Sequence, residues 1–208
     1  MGYYHSWEQR ISDSHPEAFV ASRADFEKLI LPLTDLGCPI AGPDGTGVPE
    51  ITDNYIQFNG VRHCGHEKVE GPVVVFPTKF ACGIDRSATS RLIDTPIMMT
   101  FATKRRRDGE CCHDDFWLSK HNPNGFCKTA FKPYDLAVTA ALLIAKHHWR
   151  EKIEVTSCGS EVHWSDAKLV CDLVLGYGAS FQFVRKWRPP TPMELGTEPI
   201  EIMSLEEL

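Results

Sequence analysis

Apolar residues recur at helical spacing across residues 16–33, where Phe19, Val20, Phe26, Leu29, Ile30 and Leu33 form one stripe of an amphipathic helix. Ser14 ahead of Pro16 is the expected cap, Ser22 the expected point of interruption, and Pro32 marks the approaching end. Residues 37–47 are too rich in Gly and Pro for regular structure and read as an ordered loop. Alternation over residues 51–58 predicts a strand that breaks at Asn59-Gly60. The β-branched run Val73-Val74-Val75 between Pro72 and Pro77 predicts a partner for it.

Residues 97–103 and 111–118 predict a further hairpin around Lys104-Arg105-Arg106-Arg107-Asp108-Gly109, with Asp-Gly as turn chemistry. Residues 133–148 follow as the central helix, apolar on nearly every side from Leu136 to Ala145, as an element covered all round must be. Pro133 suits the first helical turn, where its missing N–H costs nothing. A strand at 152–156, a helix at 164–175 capped by Ser165 and stopped by Gly176, and a strand at 179–184 make a β-α-β unit compatible with a parallel crossover.

These elements predict one α+β domain over residues 1–187, a mainly antiparallel sheet of about five to seven strands packed around the buried central helix. Residues 188–208 read as a Pro-rich, then acidic tail. Its Ile200, Ile202, Met203, Leu205 and Leu208 could dock on the body or on a second copy of the chain.

Composition agrees with a single globular domain: 208 residues, 42% hydrophobic and 24% charged. Twenty-eight acidic side chains against 22 basic leave a net charge of −6, which argues against general affinity for nucleic acid or an anionic membrane. The longest apolar run is about ten residues, against the ~20 that span a bilayer. Met1-Gly2-Tyr3-Tyr4-His5 has no apolar signal core, so the expectation is a soluble cytoplasmic protein. In that setting the eight cysteines, at 38, 64, 82, 111, 112, 127, 158 and 171, are expected to be reduced and to serve mainly as small buried hydrophobes.

Three clusters could carry chemistry. His63-Cys64-Gly65-His66-Glu67 joins imidazole, thiol and carboxylate in one short loop. Cys64 and His66, with Cys112 and His113, are the residue types that zinc would choose, with Cys111, His147 and His148 as further candidates. No Cys-x-x-Cys pair supports that reading, and no cofactor is expected. His66 and Glu67 could instead serve as base and acid, completed across space by Asp135 or Lys128. Cys158-Gly159-Ser160 with His163 resembles a nucleophile position at a strand end, but no adjacent cation lowers the thiol pKa, and the turn that starts a helix is the expected role.

Lys128 and Lys132 flank the start of the central helix, whose N–H groups and dipole favour an anion. Asp135 works against this, and a local Lys128–Asp135 ion pair is the alternative. The ligand-binding set read from the sequence is Lys128, Thr129, Lys132 and Tyr134, with Arg105 and Arg106 of the cationic tip facing an acidic partner or phosphate.

Phe58-Asn59-Gly60, Gly65-His66-Glu67, Phe126-Cys127-Lys128-Thr129, Lys132-Pro133-Tyr134-Asp135, Trp164-Ser165-Asp166-Ala167 and Leu175-Gly176-Tyr177-Gly178 together resemble small uncharacterised proteins of tailed bacteriophages, over residues 58–183. The resemblance implies a viral gene product acting in a bacterial cytoplasm and carries no activity. Two function classes follow. One is an accessory protein that binds a host protein or a small phosphate-bearing ligand without catalysis. The other is a hydrolase or transferase, with or without a metal, built from His66, Glu67, Lys128 and Asp135. Binding is the favoured expectation because no nucleophile and base stand out as a pair.

Overall fold

The computed structural model describes residues 3–10, 15–36, 38–64, 110–185 and 200–204. The fold class is α+β, as expected. The central helix α2 (Asp135–Trp149) and helix α3 (Glu161–Leu175) pack against an antiparallel sheet, and helix α1 (Pro16–Asp35) packs on both of them.

That sheet has five strands in the order β6 (Gly125–Lys128), β1 (Tyr4–Gln9), β7 (Ile153–Ser157), β9 (Ile200–Ser204) and β8 (Phe181–Arg185). A second sheet is built on β4 (Tyr55–Gly60), which pairs with β5 (Phe116–Ser119) and with the two-residue strands β2 (Ile40–Ala41) and β3 (Glu50–Ile51). Helix α2 is the centre of the core. Every residue from Asp135 to Lys146 is buried, and only His147 and His148 reach the surface before Trp149.

Several expectations are corrected. Strand β1, second in its sheet and the partner of both β6 and β7, was not foreseen. Tyr3, His5 and Trp7 point into the core while Tyr4, Ser6 and Glu8 do not, but a histidine in the middle position hides this period of two. Helix α1 runs unbroken through Ser22, which is buried against its neighbours, and His15 occupies the cap position without a capping bond; Ser14 lies outside the described residues. Residues 51–58 are not one strand, because the chain turns at 52–54 between β3 and β4.

Asn59-Gly60 does not end β4. The strand runs through both residues, and Gly60 is there because the returning chain crosses it: a Cβ on Gly60 would sit 1.8 Å from the carbonyl oxygen of Cys111. The partner of β4 is β5, with Phe58 opposite Phe116; the expected partners at 73–75 and 97–103 lie outside the described residues.

The β-α-β unit is real in order but not in pairing. Strands β7 and β8 run parallel, since each is antiparallel to β9, which lies between them. The cap of α3 is Ser160 rather than Ser165: its N–H donates to Nδ1 of His163 at 2.8 Å, one half of a capping box. Gly176 closes the helix in the left-handed conformation (φ 81°), as the sequence predicted.

Candidate functional site

The start of α2 and the inner face of β1 meet in a polar patch within an otherwise apolar core. Strand β1 aims His5 inward, and its Nε2 lies 2.9 Å from Oδ1 of Asp135, the first residue of α2. The hydroxyl of Thr129 donates to the same oxygen at 2.6 Å. His5, Thr129 and Asp135 are each fully buried. Two donors on one carboxylate at the positive end of a helix are what an ionised Asp needs in a dry environment. With Asp135 ionised, His5 gives it the Nε2 proton and so keeps an acceptor lone pair on Nδ1. That Nδ1 is buried and has no hydrogen-bond partner among the described residues.

Aromatic rings surround the imidazole. Tyr3 and Trp164 both meet His5 edge to face, at 4.9 and 5.1 Å between centroids. Phe131 lies flat on Tyr3 at 3.7 Å, and His163 closes the group 5.1 Å from Phe131. Phe131 is placed by a tight turn in which Lys132 N–H donates to the Thr129 carbonyl at 2.9 Å. Both central residues of that turn, Ala130 (φ 49°) and Phe131 (φ 60°), adopt the left-handed conformation without being glycine, which costs each about 1–2 kcal/mol. The carbonyl of Tyr3 helps to hold the turn by accepting from the N–H groups of Thr129 and Ala130.

The remaining residues of the 128–135 segment strap it to the loop at 110–115. Lys132 is buried and donates to the Glu110 carbonyl at 2.7 Å. The Tyr134 hydroxyl donates to the Asp114 carbonyl at 2.7 Å, and burial pushes its pKa far above the ordinary range. Lys128 exchanges backbone contacts with Asp114, its N–H donating to Oδ2 at 3.2 Å. The expected Lys128–Asp135 ion pair gives way to His5 and Thr129 as the partners of that carboxylate.

Lys128 and Phe126 lie on the opposite, outer face of β6. Phe126 is 54% exposed and rests 5.0 Å from Tyr4, whose backbone position faces Lys128 across the strands. Phe126 and Tyr4 thus form an aromatic pair on that face, with Lys128 on the same side of β6.

Cys158 offers no activated thiol: burial raises its pKa by more than the Tyr4 N–H, which donates to its sulfur at 3.1 Å, lowers it. Gly159 is needed next to it, since a Cβ there would come within 2.8 Å of the Tyr3 hydroxyl. Of the metal candidates, Cys112 is buried beside Gly45, His113 pairs with Asp114 at 2.9 Å, and Cys64 is half-buried. No group of three or more His, Cys, Asp or Glu is placed to hold a metal among the described residues. His66, Glu67, Arg105 and Arg106 lie outside the described residues.

At the far end of α2, Asp25 of α1 joins α2 to the turn that follows α3. It accepts from Lys28 at 2.6 Å, from His148 at 2.8 Å and from the Tyr177 hydroxyl at 2.8 Å, and His147 stacks on Tyr177 at 3.6 Å. No described helix is long and apolar enough to cross a membrane.

No protein-family model matches the chain, and neither the curated proteins nor the solved structures include a match.

Proposed function

We propose that this protein binds without catalysis, as an accessory protein of a tailed phage that engages a host protein in the bacterial cytoplasm. The outer face of β6 is the contact. The observation that carries the reading is Phe126, 54% exposed beside Tyr4 and on the same strand face as Lys128. Exposed aromatic residues are enriched in protein contacts, and the charge of Lys128 favours an acidic surface. Within the ligand set read from the sequence, Thr129, Lys132 and Tyr134 hold the 128–135 segment in place, and Lys128 makes the contact. Affinity capture from bacterial lysate with wild-type, Lys128→Glu and Phe126→Ala baits tests this. One host protein retained by wild type and lost from both variants, at unchanged thermal stability, is expected. Equal capture by all three baits overturns it.

A second reading, as a hydrolase or transferase with His66, Glu67, Lys128 and Asp135, draws on one observation. Asp135 orients a histidine, His5, and leaves that histidine's other nitrogen able to take a proton. His5→Asn should then abolish turnover of any substrate found while preserving the fold.

A further inference from the structure

We propose that the turn at Ala130-Phe131 is a latch over a concealed binding position at Nδ1 of His5, and that this position takes a small hydrogen-bond donor, neutral or cationic, rather than an anion. The inference concerns the inner face of the sheet and does not depend on the outer-face reading.

Three independent features lead there. The first is chemical. With Asp135 ionised and the ring neutral, Nε2 gives its proton to Asp135 and Nδ1 accepts, and among the described residues nothing bonds to Nδ1 although the ring is fully buried. Buried polar atoms are nearly always satisfied, and those that are not tend to mark a ligand, a bound water or a catalytic role. The second is conformational. Ala130 and Phe131 are consecutive non-glycine residues in the left-handed region, a strain that persists only where surrounding structure enforces it and that clusters at functional clamps.

The third is the cover itself. Two rings stack outward from His5 on the side of the turn. Phe131, half-buried, lies on buried Tyr3 at 3.7 Å, and Tyr3 meets His5 edge to face at 4.9 Å. Relaxing the turn would take Phe131 off Tyr3 and release the strain together with the stack. The ligand class follows from charge. A lone pair on Nδ1, backed by the carboxylate of Asp135 across the ring, attracts an N–H or O–H and repels phosphate or carboxylate.

The test is the rate at which diethyl pyrocarbonate modifies His5, read by peptide mass spectrometry in the folded full-length chain. The reagent needs an unprotonated imidazole nitrogen and access to it. Phe131→Ala should speed modification about three- to tenfold, the shift expected from losing one stacked aromatic pair. Ala130→Gly, which removes strain from the closed turn alone, should slow it about fivefold or more. Phe131→Leu, which keeps apolar bulk without the stack, should also speed it and stands in if the alanine variant unfolds. Urea unfolding of each variant separates latch opening from global opening. In Phe131→Ala, acetamide should protect His5 and acetate at equal concentration should not. Rates that follow only global stability overturn the latch. Protection by acetate alone, or by neither probe, overturns the ligand position and leaves an internal water as the partner of Nδ1.

Discussion

His5 and Asp135, 130 positions apart in the chain, meet at 2.9 Å in the core and fasten the start of the central helix to β1. The carboxylate is buried, so its stability depends on both donors being present. Asp135→Asn should cost about 1–3 kcal/mol in urea unfolding, because it replaces the charged acceptor of two buried donors with a weaker neutral one. Thr129→Val should cost less, about 1–2 kcal/mol, since His5 remains. An Asp135→Asn variant as stable as wild type would show that the carboxylate's charge contributes nothing to the contact.

Gly60 and Gly47 separate close approach from backbone conformation. Gly60→Ala should destabilise by more than about 3 kcal/mol or prevent folding, since its Cβ would overlap the backbone of Cys111. Gly47 (φ 66°) has open space around it, so Gly47→Ala should cost only the left-handed penalty, about 1 kcal/mol. Thermal melts of the two variants side by side read the difference.

Burial pushes the thiols of Cys127 and Cys171 far above their ordinary pKa, and raises that of half-buried Cys158. At pH 8 iodoacetamide should therefore leave all three largely unmodified in the folded protein and modify them readily in urea. Rapid labelling of Cys158 in the folded state would contradict the packing of Tyr4 and Gly159 around it.

Asp25 gives the chain an acid-sensitive link. Burial alone would raise its carboxyl pKa, but hydrogen bonds from Lys28, His148 and Tyr177 outweigh that and hold it below the ordinary value. A carboxyl with a lowered folded pKa stabilises above its unfolded value and loses that contribution as pH falls through the folded one. Wild type should therefore be more stable than Asp25→Asn at neutral pH, and the gap should narrow as pH falls below about 4. A gap independent of pH would mean that the carboxylate's charge contributes nothing there.

Much of this architecture is legible from local pattern. The apolar run of 136–145 predicts a helix buried on all sides, and its packing between the sheet and two other helices requires just that. The stripe of 16–33 predicts α1, and Gly176 predicts the end of α3, because each signal is contained within one or two turns of chain. Asp135 is recognisable as the helix-start acid.

What the sequence could not show is which distant groups meet. His5 reads as an unremarkable residue near the beginning of the chain until β1 is laid between β6 and β7, when it becomes the partner of Asp135. Lys132 and Tyr134 look like ligand-binding side chains until the loop at 110–115 arrives to accept their hydrogen bonds. Insertion of β9 between β7 and β8 likewise depends on a segment that its own composition marks as a tail. The division has a physical basis. Periodicity, caps and turn conformations are set by neighbours a few residues away, whereas hydrogen-bond partners, exposure and pKa depend on contacts between segments that only the folded chain brings together.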